Sequence, residues 1–339
     1  MVKIKGYISS NFTKSFLTIF LPFFMIISLV YLVKISALTE RIQITFGELL
    51  LLYSYSVPDI IFYTLPLSFI TALANVLIRL SQDNELIALY ALGLPAKKVL
   101  RPFLLLGLLF SLLLLSISFL AMPLSKQFYN SFRYEKQAEA KLNIVPGTLG
   151  QKFGNYYMYV KEKNEDVLND IVIYNRTDEA QEQFFSSETG HIQTKGNTIS
   201  LLLDEGYGYT YSENKLQQVQ YKILEVYNNI ASGGFKFEDI ATYWSQAKTD
   251  TKRMHRILFF IFISLIPLLS VYLIASFTMI NPRYQSNRSF LVIFTTTLLF
   301  YAIASSLQKW GTPLILGLII VTCVIVGRWL FTKRISKYF

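Results

Sequence analysis

The chain has 339 residues, of which 53% are hydrophobic and 16% are charged, and its mean hydropathy is +0.39. Soluble domains carry about 25% charged residues, so this composition excludes an ordinary soluble protein and indicates a membrane protein. A single cysteine, Cys323, excludes a disulfide within the chain. The net charge of +10 does not indicate a nucleic-acid partner, because most basic residues flank apolar segments. The charge is therefore interpreted as membrane topology.

Six segments are predicted to span the membrane. A hydrocarbon core about 30 Å thick needs roughly 20 apolar residues in a helix. The segments without Asp, Glu, Lys, Arg or His that approach or exceed this length are residues 15–33, 60–78, 102–124, 257–280, 289–307 and 312–327. The first is longer than a typical signal-peptide core and no clear cleavage site follows it, so it is interpreted as a permanent span.

Basic residues are distributed unequally between the two ends of these spans. Thirteen lie at one set of ends: Lys3, Lys5, Lys14, Arg79, Lys97, Lys98, Arg101, Arg283, Arg288, Arg328, Lys333, Arg334 and Lys337. The opposite short loops hold only Lys34, Arg41 and Lys309. Since cytoplasmic loops carry the excess of Lys and Arg, both termini are predicted to be cytoplasmic and the long insert extracytoplasmic.

The insert, residues 125–256, separates residues 1–124, with three spans, from residues 257–339, with the other three. Its start, residues 125–142, is predicted to continue the third span as a helix. Short β-branched or aromatic runs follow at residues 156–161, 168–175, 182–189, 198–204, 207–212 and 219–227. Asn164, Gly190, Gly196-Asn197, Gly206 and Asn214 are interpreted as the turns between them. This pattern predicts a β-sandwich or jelly roll at about residues 143–230, a hinge at residues 232–234 and a helix at residues 235–256.

The fold class is therefore an α-helical integral membrane protein with six transmembrane helices and an inserted extracytoplasmic β-jelly-roll domain. The sequence has no phosphate-binding glycine loop and no nucleophile motif, so any ATP hydrolysis must come from a partner. His191 and His255 are far apart in sequence, and neither a metal site nor a cofactor is expected. The six spans contain no acidic residue, which disfavours ion-coupled transport. Asp59, beside Pro58, is interpreted as a helix cap at the edge of the second span.

The loop between the second and third spans predicts a short helix outside the membrane, at about residues 82–93. Ser81 or Asp83 could cap its start, and Gly93 followed by Pro95 would end it. Its apolar residues Leu86, Leu89 and Tyr90 suit a groove of a cytoplasmic protein. A surface helix resting on lipid headgroups is an equally good interpretation of the spacing.

The sequence resembles the lipopolysaccharide-export permeases LptF/LptG, also called YjgP/YjgQ, along essentially the whole chain. The segments that carry the resemblance are Glu85-Leu86-Ile87-Ala88-Leu89-Tyr90-Ala91-Leu92-Gly93, Pro66-Leu67-Ser68, Ser187-Glu188-Thr189-Gly190-His191, His255-Arg256 and Asn281-Pro282-Arg283. The last of these favours the F-type subunit.

The resemblance implies a non-catalytic permease subunit of an ABC-type transporter in the inner membrane of a bacterium, with its β-domain in the periplasm. Such a subunit pairs with a homologous G-type six-span permease above a cytoplasmic ATPase dimer. It extracts lipopolysaccharide or lipooligosaccharide from the membrane and passes it to periplasmic jelly-roll proteins. The resemblance also implies that Glu85 couples to a basic residue of the ATPase, within a contact helix that includes Leu86, Leu89, Tyr90 and Gly93.

Three cations at the outer ends of the spans are candidates for binding a phosphorylated lipid headgroup: Lys34, Arg41 and Arg256. Cations above apolar walls match a lipid with phosphates above its acyl chains. For each residue the alternative is ordinary snorkelling, which is the better interpretation of Lys309. One other function remains open, a membrane-anchored periplasmic scaffold or adhesion protein without transport activity. A membrane enzyme acting on lipids would need polar catalytic groups near a headgroup plane, and the sequence offers no such set.

Overall fold

The structure is a computed structural model that describes residues 4–38, 44–142, 144–153, 156–164, 167–178, 181–195, 198–212, 215–227, 237–246, 250–280 and 289–336. The chain divides into two compact units. The helical unit comprises Met1–Ser36, Gly47–Phe128 and Glu238–Phe339, and the sheet unit comprises Ala37–Phe46 and Tyr129–Phe237.

The helices follow the predicted order along the chain. They are α1 (Ile4–Ser36), α2 (Phe46–Gln82), α3 (Glu85–Ala91), α4 (Ala96–Ser116), α5 (Met122–Leu142), α6 (Ile240–Ser245), α7 (Thr251–Thr278), α8 (Ser289–Trp310) and α9 (Pro313–Phe331), with π-turns at Ile117–Ala121 and Thr332–Ser336. Among the described residues, six helical segments are long and apolar enough to cross a membrane, which confirms the predicted number of spans. The continuous path from α4 through the first π-turn into α5 also confirms the helix predicted after the third span.

The interior of the helical unit is built around α2 and α7, whose most apolar segments are largely buried, whereas those of α1 and α9 are largely exposed. Phe12 of α1 packs against Phe69 of α2, with ring centroids 5.1 Å apart. Gly107 of α4 lets α7 approach closely, because a Cβ atom there would lie 3.1 Å from the Pro267 carbonyl oxygen. Packing of small and aromatic residues therefore holds these helices together, as is typical where lipid replaces water around helices.

The described residues of the sheet unit form an antiparallel sheet in which each strand pairs with its neighbour in sequence. Its strands are β1 (Gln151–Phe153), β2 (Tyr156–Asn164), β3 (Val167–Asp178), β4 (Gln181–Lys195), β5 (Thr198–Ser212) and β6 (Lys215–Tyr227). The inserted β-domain is thus confirmed, but the described strands form an open meander that is neither closed nor curled, which corrects the predicted jelly roll. The reason is the connections: from β2 onward only two residues separate consecutive strands, which allows hairpins and no long Greek-key return.

Two of the predicted turns were wrong. Gly206 lies inside β5, so the two strands predicted on either side of it are one strand. A Cβ atom at Gly206 would collide with the Ser186 carbonyl oxygen of β4. Gly190 lies inside β4, where a Cβ atom would meet Ile171 Cδ1 at 2.6 Å and the Leu202 carbonyl oxygen at 2.7 Å. Both glycines permit close approach of neighbouring groups in the sheet and do not mark its ends.

Two helix predictions also need correction. The predicted helix at residues 235–256 is broken, because α6 ends at Ser245 and α7 begins at Thr251, where the Asp250 carboxylate accepts a hydrogen bond from the Lys252 amide at 2.9 Å. Asp59 does not cap a helix, since α2 begins at Phe46 and continues through Pro58. The predicted hinge at residues 232–234 lies outside the described residues.

Candidate functional site

The short helix α3 joins the second and third membrane-spanning segments. It covers Glu85–Ala91 and is preceded by Asn84, whose left-handed backbone (φ 60°) replaces the predicted cap by Ser81 or Asp83. At its other end the Gly93 amide donates to the Tyr90 carbonyl at 2.9 Å, and the Leu94 amide donates to the Leu89 carbonyl at 3.2 Å. With Gly93 at φ +75°, these two bonds form a Schellman ending. The prediction that Gly93 ends this helix is confirmed.

The apolar side of α3 packs on the helical unit. Leu86 is buried, and Leu89 and Tyr90 are partly buried against the same core. Burial raises the pKa of the Tyr90 phenol, so its hydroxyl stays protonated at neutral pH. The exposed apolar side chains of this segment are instead Ile87 and Leu92, for which the sequence pattern gave no signal. They give an approaching protein apolar surface beside Glu85.

The carboxylate of Glu85 is held by the first helix. The Tyr7 hydroxyl of α1 lies 2.9 Å from each of the two Glu85 carboxylate oxygens and donates to this carboxylate. Two residues earlier, Asp83 pairs with Arg79 at 3.5 Å, and both side chains are largely exposed. Movement of Glu85 would therefore be transmitted directly to the start of α1.

At the other end of the helical unit, Arg256 lines a cavity of about 160 Å³. Its charged lining residues are Asp59 of α2, Lys126 of α5 and Arg256 of α7. Phe259 and Phe260 supply apolar walls. The three charges sum to +1, so the cavity combines a net positive charge with an aromatic surface, which is the chemistry required by a phosphorylated lipid.

Residues of the helix α6 hold the Arg256 side chain in place. The guanidinium Nη1 of Arg256 donates to the Tyr243 hydroxyl at 3.1 Å. Arg253 donates to the Tyr243 carbonyl at 2.8 Å and lies over the ring of the same tyrosine at 4.6 Å from its centroid. The indole nitrogen of Trp244 donates to the Phe119 carbonyl at 3.0 Å. These contacts restrict the motion of Arg256 before any ligand arrives.

The Phe119 carbonyl lies in the π-turn between α4 and α5. There the Met122 amide bonds the Ile117 carbonyl, five residues back, in place of the usual four. Pro123, four residues after Phe119, has no amide hydrogen to donate to this carbonyl, and the Trp244 indole supplies a donor in its place.

The other two predicted headgroup residues lie differently. Lys34 is exposed near the end of α1, with its ammonium 5.7 Å from the centroid of the Tyr31 ring. Its charge is close enough to Asp59 to interact with that carboxylate, as are the charges of Lys126 and Arg256, although Lys34 does not line the cavity. Arg41 lies outside the described residues.

No sequence pattern pointed to Tyr7 or Tyr243, and none gave Lys126 a role in binding. Nothing in the spacing pairs Tyr7 with Glu85, because 78 residues separate them. A signal did exist for Asp59, Lys126 and Arg256. Each lies within two residues of an end of a predicted apolar segment, and topology places these three ends at the same membrane surface.

Comparison with known proteins gives one family. The model of the family described as "Lipopolysaccharide export system permease LptF/LptG" matches residues 6–333 of this chain. A search of curated proteins returned no match.

Proposed function

The chain belongs to the lipopolysaccharide export permease family LptF/LptG. We propose that each end of its helical unit, and its sheet, carries out a different step of export. The chain is a multi-pass membrane protein and a permease subunit of an ABC transporter for lipopolysaccharide export, and a separate ATPase partner hydrolyses the ATP. The observation that carries this function is the family match across six helices long enough to span a membrane.

The proposed topology places both termini in the cytoplasm and the sheet unit in the periplasm. The unequal distribution of Lys and Arg supports it. The proposed subunit type is F, paired with a G-type permease above an ATPase dimer. It rests on Asn281-Pro282-Arg283, which lies outside the described residues.

Mass spectrometry of the intact complex, purified in mild detergent, tests this assembly. We expect an ATPase, a second six-span permease and retained lipopolysaccharide to copurify with the chain. A membrane-anchored scaffold or adhesion protein would bring none of these three, and that result would contradict the proposal.

The first proposed step is coupling through α3. Glu85 begins this helix beside the exposed Ile87 and Leu92, where a basic residue of the ATPase can pair with it. The variant Glu85→Lys reverses the charge and should weaken the contact by about 2–5 kcal/mol if the pair is buried in the complex. The matched control is Asp83→Lys, which makes the same change two residues earlier at a largely exposed position.

Lipopolysaccharide release from proteoliposomes and ATP hydrolysis by the reconstituted complex measure the effect. We expect release to fail with Glu85→Lys and to persist with Asp83→Lys. Wild-type assembly and release by the Glu85 variant would show that this residue does not couple the two proteins.

The second proposed step is capture of the phosphorylated headgroup by Arg256, Lys34 and Arg41. The net positive charge of the cavity around Arg256 supports it. So does the electrostatic interaction of both Lys34 and Arg256 with Asp59. Because several cations would share one anion, we expect Lys34→Ala to be mild. Lys34→Glu combined with Arg41→Glu should be severe, since reversal adds repulsion.

Crosslinking from position 34 to radiolabelled lipopolysaccharide measures capture, with protein level and orientation checked. Lys309→Glu is the control, because snorkelling explains Lys309. Wild-type lipid retention by the double reversal would leave topology as the sole role of these cations.

The third proposed step is transfer of lipid from the sheet to a periplasmic jelly-roll protein by edge pairing. β6 ends the strand order, and Leu216, Val219 and Ile223 along it are exposed. An end strand can accept a further strand, and exposed apolar side chains can contact acyl chains. Photocrosslinkers at these positions should capture a periplasmic protein. Capture of the cytoplasmic ATPase alone, or of no protein, would count against this step.

A further inference from the structure

A second cavity, of about 310 Å³, lies between α1, α2 and the start of α3. Its lining includes the polar residues Asn11, Lys14, Asn75, Arg79 and Glu85. Lys14 precedes Lys34 by 20 residues on α1, about 30 Å along a helix axis, which is the thickness of a hydrocarbon core. This cavity therefore lies at the membrane surface opposite the proposed headgroup site for lipopolysaccharide.

Two polar stripes face each other across this cavity. On α1 the apolar residues Ile8 and Phe12 pack into the helical core, while Asn11 and Lys14 turn to the cavity. On α2 the lining residues Asn75 and Arg79 are four positions apart and thus one above the other on the helix. Asn75 belongs to the uncharged apolar run of the second span, where an amide is an unusual residue.

Most of these polar side chains have no partner in the part of the chain that the structure describes. In the described part of the chain, the side chains of Asn11, Lys14 and Asn75 have no hydrogen bond or ion pair. Arg79 reaches Asp83 only at 3.5 Å and its side chain remains 82% exposed. Polar groups at the edge of a membrane are stabilised by a partner that can bond to them, and a lipid headgroup is the molecule that the bilayer supplies there.

The charges around the cavity select among headgroups. Lys14 and Arg79 suit a phosphate. Glu85, held in place by the Tyr7 hydroxyl, is a carboxylate that suits a primary ammonium group. A purely anionic headgroup would meet repulsion from Glu85. A cavity of about 310 Å³ is at the lower end of the range for small-molecule sites, so it admits a single lipid headgroup.

We propose that this cavity binds the headgroup of a membrane phospholipid in which a phosphate is joined to a primary amine, as in phosphatidylethanolamine. The phosphate contacts Lys14 and Arg79, the ammonium contacts Glu85, and the amides of Asn11 and Asn75 bond the remaining oxygens. The acyl chains lie along the exposed α1 residues Leu17 and Leu21. The inference goes beyond the proposed function, since binding of this lipid requires neither ATP nor lipopolysaccharide.

Native mass spectrometry of the whole transporter complex tests the proposal, after incubation in bilayers of equal parts phosphatidylethanolamine, phosphatidylglycerol and phosphatidylcholine. We expect wild type to retain phosphatidylethanolamine over the other two by about fivefold, which corresponds to roughly 1 kcal/mol. Lys14→Gln combined with Asn75→Leu should reduce this retention by about fivefold. Glu85→Gln should remove the preference over phosphatidylglycerol.

The matched control is Lys97→Gln, which removes an exposed cation outside the cavity. If the double variant does not assemble, Lys14→Gln alone, at an exposed side chain, gives the same test. Equal retention of the three phospholipids by wild type, or unchanged retention by the Lys14 variants, would overturn the proposal. So would retention of lipopolysaccharide, in place of phospholipid, that depends on Lys14. Lipopolysaccharide release measured in parallel reports separately on the proposed function.

Discussion

The hydrogen bond between Trp244 and the Phe119 carbonyl gives a prediction whose size follows from the structure. Trp244→Phe keeps an aromatic ring against Phe119, whose centroid lies 5.2 Å from that of Trp244, and removes the indole donor 3.0 Å from the carbonyl. The carbonyl belongs to the π-turn, where the helical bond register is shifted. Leaving such an acceptor without its partner costs about 1–3 kcal/mol.

A loss of about 2 kcal/mol in a chain of this size should lower the midpoint of thermal unfolding by roughly 2–6 °C. The matched control is Trp310→Phe, the same substitution at a side chain that is 81% exposed. Because Tyr243 is the neighbour of Trp244 and bonds Arg256, Trp244→Phe should also reduce the lipopolysaccharide retained by the complex. Thermal unfolding in detergent and lipid analysis of the purified complex measure the two effects.

Equal unfolding midpoints for the two tryptophan variants would refute the reasoning, because they would show that the indole bond does not stabilise the π-turn. A lower midpoint with unchanged lipid retention would separate the two claims. The bond would then stabilise the fold without supporting Arg256.

Three further predictions concern the two ends of the helical unit and the sheet. Tyr7→Phe should raise the number of ATP molecules hydrolysed per lipopolysaccharide released, because Glu85 loses the hydroxyl that links it to α1. The control Tyr53→Phe, which removes a 2.9 Å hydrogen bond to Ser28, should leave this ratio unchanged. Asp59→Asn raises the summed charge of the cavity residues from +1 to +2. Lipopolysaccharide retention should then increase about threefold, which corresponds to under 1 kcal/mol. A decrease in retention would mean that Asp59 chiefly positions the cations. Gly190→Ala should lower the free energy of unfolding by more than about 2 kcal/mol and make the sheet susceptible to protease, because the new Cβ would lie 2.6 Å from Ile171 Cδ1. The control Val219→Ala, at an exposed site, should have little effect on either.

The number of spans and the position of the insert could be predicted from the sequence for a simple physical reason. An uncharged apolar segment of about 20 residues is stable in hydrocarbon only as a helix, because the helix satisfies its own backbone groups. Alternating β-branched and aromatic residues predicted the inserted strands. Gly93 followed by Pro95 predicted the helix end, because glycine readily adopts the left-handed conformation that Gly93 has in the structure. Each of these features is determined by residues close together in the sequence, so a local sequence pattern is enough to predict it.

Tertiary structure alone decided which distant groups meet. Glycines inside a strand and glycines in a turn look the same in sequence, so the role of Gly190 became clear only from the neighbouring strands. From its local sequence, beside a proline, Asp59 was predicted to cap a helix, yet α2 continues through this position. Packing of the helices brings Lys126 and Arg256 close enough for their charges to interact with the Asp59 carboxylate. The contact of Tyr7 with Glu85 joins residues 78 positions apart. Apolar burial is non-directional and fixes no particular pair, so such contacts are determined by how the helices pack.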